Sequence, residues 1–354
     1  MVPVVDVSRR GARFAGAFAE VAERIARQGS YLLGPELDSF EHELAAWLGA
    51  EHAAGVASGA SALQLALAAA GVGPGDHVLV PAFTAVPTAS AVAATGATPV
   101  AVDVDPATAC LTPAAIERAT TPRTRAVIVV HLYGFPAELP PRGSELIVIE
   151  DAAQAMGALG SPDRAHAVAY SFYPTKNLGG IGDGGAVVTN DAELDAAVRL
   201  LRAHGLSSQY VHEAISQNFR MSEIEAAWLR LGLPALARDV EARRAIAARY
   251  RAAAPQLCWQ RDDPRHAYHL CVFRTADRDA VRGRLAAAGV ATAVHYPRAL
   301  TQQPAYRAVF PEPCPEAEAW AAECVSVPCF PELTEDEIER VAGALAELAP
   351  GGLT

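Results

Sequence analysis

The chain is almost without lysine. Of its 29 basic residues one is lysine, Lys176, and the others are arginine. Arginine serves wherever a generic cation is needed, so the lone lysine is either an accident of composition on the surface or a place where arginine fails. Arginine stays protonated at any workable pH, whereas a lysine amine can lose its proton and attack a carbonyl. That chemistry is Schiff-base formation. Other features are missing too. The six cysteines, Cys110, Cys258, Cys271, Cys314, Cys324 and Cys329, form no CxxC pair and no regular spacing. A disulfide framework is not expected in a chain of 354 residues, and a reducing compartment fits. No His/Cys/Asp spacing marks a metal site. No GxSxG elbow follows a strand, which argues against a Ser-His-Asp hydrolase. No uncharged apolar run free of Gly and Pro breaks reaches the ~18 residues of a membrane span. The opening MVPVVDVSRRGARF has no apolar leader core, so a cytoplasmic location is expected. Positive charge is also in deficit: 40 acidic residues give a net charge of −11, against nucleic-acid binding. An anionic small molecule remains compatible, because a local site can be positive on an acidic protein.

What is present is core-forming. Hydrophobic residues make up 51% of the chain, enough for two domains or one large domain with an appendage. Short apolar runs at His77–Pro81, Pro99–Asp103, Ala126–His131, Leu146–Glu150, Ala167–Phe172 and Gly185–Thr189 read as strands covered on both faces. Helical stretches alternate with them at Ala60–Ala70, Val86–Ala94 and Pro113–Ala119, the last with Thr112 as N-cap and Pro113 at the first helical position. Alternation of this kind predicts a mostly parallel α/β sheet. After Asp191 the pattern shifts to Arg- and Glu-rich helices at Ala192–His204 and Ser222–Arg251. The tail holds a strand at His269–Phe273, a helix at Asp279–Ala288, an apolar run at Ala291–His295, and a last helix opened by the capping box Thr334 to Glu337. A division near residue 240 is expected: a large α/β domain, 1–240, and a smaller α+β domain, 241–354.

Three short motifs carry chemistry. Ser58-Gly59-Ala60-Ser61 opens an Ala/Leu helix, and small residues there expose backbone N–H groups and the positive dipole end to a phosphate. An ordinary N-cap is the plainer alternative. Asp151 follows the strand LIVIE, where open α/β sheets bind ligands; it either caps the next helix or holds a pyridinium proton. Ser171 and Lys176 follow another strand end, a hydroxyl for phosphate and an amine for an imine. Together these are the contacts that pyridoxal phosphate needs. Gly180-Ile181-Gly182-Asp183-Gly184-Gly185 matches GxGxxG, but it runs into a strand rather than a helix, so a dinucleotide fingerprint is rejected and a tight turn past the site is expected. His131, His295 and Tyr296 follow apolar runs and could face the site; a lone histidine is more often structural.

The ordered set of these pieces resembles the DegT/StrS-type sugar aminotransferases, pyridoxal-phosphate enzymes of the aspartate-aminotransferase fold type I. The pieces are YLLGPELDSFEHELAAWLG (31–49), ASGASAL (57–63), GPGDHVLVPAFTAVPT (73–88), VVHLYG (129–134), IEDAAQAMGA (149–158), SFYPTKNLGGIGDGGAVVT (171–189), NFRMSEIEAAW (218–228), VHYPRAL (294–300) and VPCFPELTEDEI (327–338). The resemblance implies a large domain with a mostly parallel sheet and a small C-terminal domain. It implies that Lys176 forms the imine with pyridoxal 5′-phosphate and shuttles a proton. Asp151 would bind the pyridine nitrogen, and Gln154 would lie on the ring-hydroxyl side. Gly59, Ala60, Ser61 and Ser171 would hold the phosphate. Asn218 would reach the phosphate in a neighbouring subunit, which implies a homodimer with shared sites. Tyr31, His131, His295 and Tyr296 are the candidates for substrate contact. Two departures stand out: Ala60 where the family usually has Thr, and Ala85 where it usually stacks an aromatic on the cofactor ring. A branch with His in place of the lysine dehydrates its substrate, and Lys176 sets this chain apart from it. The implied reaction is ping-pong transamination from an amino acid, by resemblance L-glutamate, to a keto-sugar in natural-product or surface-glycan biosynthesis. KNLGGIGDGGA is similar to members acting on nucleotide-linked 3-keto-6-deoxyhexoses. The alternatives are a cyclitol or other non-sugar ketone as acceptor, and a regulatory protein that binds the cofactor without turnover.

Overall fold

Seven of the short apolar runs pair into one sheet: β1 (His52–Val56), β2 (His77–Pro81), β3 (Thr98–Val102), β4 (Thr124–Val130), β5 (Ile147–Asp151), β6 (Ala167–Ser171) and β7 (Gly185–Thr189). The computed structural model describes residues 1–141 and 143–348. The strand order is β1-β7-β6-β5-β4-β2-β3. β2, β3, β4, β5 and β6 pair in parallel, and β7 runs antiparallel to both β6 and β1. Helices lie between β1 and β2, β2 and β3, and β3 and β4: α3 (Gly59–Ala69), α4 (Pro87–Ala94) and α5 (Pro113–Ala119). The parallel links β4–β5 and β5–β6 carry no α-helix among the described residues, and β6 and β7 are joined antiparallel by residues 172–184. That loop carries Lys176. The glycines at 180–185 therefore lead into a strand, and no dinucleotide fingerprint forms.

The sheet is covered on both faces, as the uninterrupted apolar strands require. One core gathers Leu63, Val80, Phe83, Ile128 and Tyr133 with Trp320. The other packs Leu37 and Phe40 of α2 (Pro35–Leu48) against Tyr170, Phe172 and Leu229. A third core joins α8 (Leu236–Ala253), β11 (Cys271–Arg274), β12 (Cys324–Val327) and α11 (Glu335–Ala346), with Val2 from the chain start added to it. β11 is the centre of a small antiparallel sheet between β10 (Cys258–Trp259) and β12. The Thr334–Glu337 capping box forms at α11 as expected, with Glu337 N–H donating to Thr334 Oγ1 and Thr334 N–H to Glu337 Oε2.

Several elements depart from the sequence reading. α1 (Val7–Gln28) was not anticipated, although Phe14, Phe18, Val21 and Ile25 recur at helical spacing, Asp6 caps it and Gly29 ends it at φ 72°. β1 was missed because HAAGV has little β-propensity of its own, and burial on both faces makes it a strand. The long helix expected over Ser222–Arg251 is broken by a 3-10 turn at Leu233–Ala235, where Pro234 lacks an N–H; α7 (Glu223–Gly232) ends there and α8 begins. The run Ala291–His295 makes one isolated bridge, Ala293 to Ser326, rather than a strand.

Candidate active site

The ends of β4, β5 and β6 bring together residues that lie far apart in sequence. Asp151 is the last residue of β5 and points into the sheet's carboxyl edge, buried. Its Oδ1 accepts from the Ala153 N–H at 3.1 Å, and its Oδ2 accepts from the Thr88 hydroxyl at 3.0 Å. Thr88 in turn is 3.1 Å from Thr84 Oγ1, so two hydroxyls at the start of α4 orient the carboxylate. Burial raises the Asp151 pKa, while those two donors and the Lys176 charge hold it down. Burial pushes the Lys176 amine down to about 8, against the pull of Asp151. A half-buried lysine with a carboxylate near it, at the carboxyl end of a parallel sheet, is poised to present a free amine close to neutral pH.

The lysine loop is fixed from below. Arg10 of α1, itself buried, donates from Nη1 to the Pro174 carbonyl at 3.1 Å and the Lys176 carbonyl at 2.9 Å. Glycine is required where the loop turns: a Cβ on Gly179 would stand 2.1 Å from Arg10 Nη1, and one on Gly180 would stand 1.5 Å from Glu225 Oε1. Glu225, from α7, accepts from the Gly182 N–H at 2.9 Å and lies under the same loop.

Beside this pair is a cradle. Ser58 caps α3: its Oγ accepts from the Ser61 N–H at 3.1 Å and lies 2.9 Å from Ser61 Oγ. The Gly59 and Ala60 N–H groups make no bond among the described residues, so two donors at the positive end of α3 stay open. A Cβ on Gly59 would come within 2.7 Å of Ser171 Cβ, so the lack of a side chain lets the end of β6 close on the helix start. Gln154 bridges the site's other wall. Its Oε1 accepts from the Tyr133 N–H at 2.6 Å and its Nε2 donates to Tyr296 Oη at 2.9 Å. Tyr133 sits at φ 63° and donates its hydroxyl to the His295 carbonyl, tying the two walls together. Burial and then the Asp151 charge push the Tyr296 phenol up to about 12; burial and then Lys176 push His295 down to about 4. Phe83 lies edge-on to Tyr133 and Tyr296 and stacks on Trp320, fixing the rings behind the site.

The structure thus gathers Lys176, Asp151, Gln154, Tyr296 and His295 in one place, and Gly59, Ala60, Ser61 and Ser171 in the adjoining cradle. His131 is corrected. It is 0% exposed; its Nδ1 accepts from the Ala137 N–H at 2.9 Å, so Nε2 carries the proton and donates to Glu150 at 2.8 Å. Both ring nitrogens are used internally, and none is left for a substrate. Tyr31 and Asn218 are exposed. Tyr31 donates its hydroxyl to the Ala26 carbonyl, and Asn218 Oδ1 accepts from the Arg220 Nε–H at 3.0 Å. Asn218 does not cap α7, since Ser222 fills that role with Oγ accepting from the Glu225 N–H. Sequence reasoning missed Thr88, Arg10 and Tyr133. Thr88 stands 63 positions from its partner and Arg10 over 160 from the loop it holds, and no local pattern marks either. Ser58, read from the sequence as part of the cradle or as a plain N-cap, does cap α3. Among the described residues no cluster of His, Cys, Asp and Glu is arranged to hold a metal ion. No helix there is long and apolar enough to cross a membrane.

A mostly parallel sheet with a half-buried lysine on the β6–β7 loop, an acid at the end of the neighbouring strand and a helix-start cradle defines a pyridoxal-phosphate enzyme of fold type I. The chain belongs to the DegT/DnrJ/EryC1/StrS aminotransferase family, whose sequence model matches residues 14–346. It is 42% identical to a dTDP-3-amino-3,4,6-trideoxy-alpha-D-glucose transaminase of Streptomyces venezuelae, over 98% of this chain and 96% of that one. It is 40% identical to a UDP-N-acetyl-3-dehydro-alpha-D-glucosamine 3-aminotransferase of Acidithiobacillus ferrooxidans, over 99% and 98%. The crystal structure of DesV from S. venezuelae in complex with a ketimine intermediate superposes with a TM-score of 0.90 at 40% identity, covering 98% of both chains. The chain is an aminotransferase.

Proposed function

We propose that this aminotransferase moves an amino group from L-glutamate to a nucleotide-linked 3-keto-6-deoxyhexose. The carrying observation is Lys176: the sole lysine, half-buried near Asp151, with its amine pushed down to about 8. The names of both relatives place the amine on sugar carbon 3 while their nucleotides differ, which supports the position more than the nucleotide.

The residues present fit pyridoxal phosphate. The open Gly59 and Ala60 N–H groups, Ser61 and Ser171 would hold the phosphate, and Asn218 of a second subunit would complete it in a homodimer. Asp151 would hold a proton on the pyridine nitrogen, and Gln154 would lie on the hydroxyl side. When bound, the cofactor supplies a carbonyl for the amine and a ring that accepts electrons as the donor's α-proton leaves. Lys176 Nζ, close to half deprotonated near pH 8, takes that proton and returns it one carbon away. Thr88 and the Ala153 N–H keep the Asp151 carboxylate aimed. Tyr296 and His295, both uncharged at neutral pH, line the acceptor side. Ala85 stands where the family usually has an aromatic, a departure that would also suit a cyclitol or other bulky ketone.

The test is spectroscopic. Purified holoprotein should show a visible absorbance band that bleaches with L-glutamate and returns with a nucleotide-linked 3-keto-6-deoxyhexose. Return only with a cyclitol ketone would replace the acceptor, and a band that no amino donor bleaches would mean a cofactor-binding protein without turnover.

A further inference from the structure

The loop that carries Lys176 has a neck. The Gly180 N–H donates to the Phe172 carbonyl at 2.6 Å, and the Phe172 N–H donates to the Gly184 carbonyl at 2.8 Å. Ser171 pairs with Gly185, so the chain leaves β6 and enters β7 at one place, with Lys176 on the turn between. α7 grips that neck. Trp228 Nε1 donates to the Gly179 carbonyl at 2.9 Å. Glu225, a turn earlier on the same helix, accepts from the Gly182 N–H on Oε2 at 2.9 Å, and the Ile181 N–H also bonds its carboxyl. The approach needs glycine: a Cβ on Gly180 would collide with Glu225 Oε1, and one on Gly184 would stand 3.2 Å from it. Oε1 is buried and has no donor. An acceptor borders it instead, since the same Cβ on Gly180 would stand 2.9 Å from the Phe172 carbonyl oxygen. No cation answers this carboxyl. The ionisable groups on the elements packed around it are Arg10 on α1, Glu36 and Glu41 on α2, Glu223 on α7 itself, and Lys176 and Asp183 on the loop. Of these only Asp183 acts on its charge, and Asp183 is negative. A buried carboxylate with one oxygen free and no cation is costly, whereas the protonated acid keeps Oε2 for the N–H donors and makes Oε1 a donor facing Phe172. Burial pushes the carboxyl up to about 7.

We propose that Glu225 is a positioning residue for Lys176: its protonated side chain latches the neck of the lysine loop to α7, and loss of that proton lets the neck open. Glu225 acts through the backbone of residues 180–184 and not on the reacting atoms. The proposal rests on Lys176 as the lysine that holds the cofactor; the amino donor and the keto acceptor do not enter it. The sign follows from the proton. An opened neck returns the carboxyl to its ordinary 4.5, so opening releases a proton that the closed loop holds. Opening should rise about tenfold per pH unit between about pH 5 and 7 and level off above, about 30-fold in all from about pH 5.5 to about pH 8.

Hydrogen–deuterium exchange of the holoenzyme, corrected for the intrinsic rate at each pH, reads the amides of residues 178–184. Wild type should lose about 30-fold of their protection over that range, and Glu225→Gln, which cannot ionise, should lose none. Glu225→Met has neither charge nor acceptor; its protection should also be independent of pH, and it decides the matter if the glutamine variant does not fold. Release of the cofactor, followed as loss of the visible band on dilution, should speed up over the same range in wild type only. A melting curve cannot replace these readouts, because burial of Glu225 weakens the whole chain wherever it is relieved, whereas the loop amides respond only if the neck itself opens. Protection that does not change with pH in wild type, or that changes equally in the variants, overturns the latch. Cofactor release that ignores the opening overturns the positioning of Lys176. A borohydride label found away from Lys176 defeats the reading of that lysine, while the exchange measurement still decides the latch, so the two failures are distinguishable.

Discussion

Glu225 sets up a pH dependence that can be worked through. It is 3% exposed, its Oε2 accepts from the Gly182 N–H at 2.9 Å, and its Oε1 is buried without a partner against Gly180. Burial pushes its carboxyl from the ordinary 4.5 up to about 7; the Gly182 and Ile181 N–H groups oppose this, and the Asp183 charge adds to it. The folded chain thus binds this proton more tightly than the unfolded chain. Stability contributed by the group is fully present below pH 4.5 and is lost as pH rises through 7. A difference of 2.5 units at 1.36 kcal/mol each puts the loss at about 3 kcal/mol above pH 7. Glu225→Gln cannot ionise and keeps an acceptor for Gly182. At ~2.1 cal/mol/K per residue the unfolding entropy of this chain is about 0.7 kcal/mol/K, so the variant should melt about 4 °C above wild type at high pH. The assay is calorimetric Tm of both holoproteins from about pH 5 to pH 8.5. The gap should be near 1 °C at the acid end and open through neutrality. A gap that does not change with pH, or a variant less stable than wild type at high pH, refutes the reasoning.

Borohydride reduction of the holoprotein should attach the cofactor at Lys176 and nowhere else, read by peptide mapping, and Lys176→Arg should take up no covalent label because its guanidinium stays protonated. Asp151→Asn should stay folded and bind cofactor, yet lose turnover by ~100-fold or more, since the charge favouring a protonated ring nitrogen is gone; near-normal kcat would reduce Asp151 to a structural acceptor. Thr88→Val removes one of the two donors to Asp151, worth about 1–1.5 kcal/mol, and should lower kcat by roughly tenfold with cofactor affinity kept. Lys176→Ala and Asn218→Asp should each be poorly active, and mixing them should restore part of the activity if Asn218 serves the neighbouring subunit; no recovery, with subunit exchange confirmed by mass, would place Asn218 in its own chain's site.

The single lysine, the acid following LIVIE and the small-residue helix start after Ser58 were legible in the sequence because their chemistry is local. An amine needs one residue, a strand end needs an apolar run before it, and a cradle needs a cap and small side chains. The parallel sheet was legible for the same reason, through apolar runs alternating with helices. Tertiary structure alone decided the rest. β1 became a strand by burial rather than by propensity, and β7 runs antiparallel to β6, a direction its apolar run does not announce. The His131 side chain was drawn inward by Glu150 and the Ala137 N–H, which no spacing announces. Thr88 met Asp151 and Arg10 met the lysine loop because α4 and α1 pack where they do. Contacts of that kind depend on the relative placement of helices, set by the sum of many packing terms, and a linear pattern carries only the periodicity of each helix and not its neighbour.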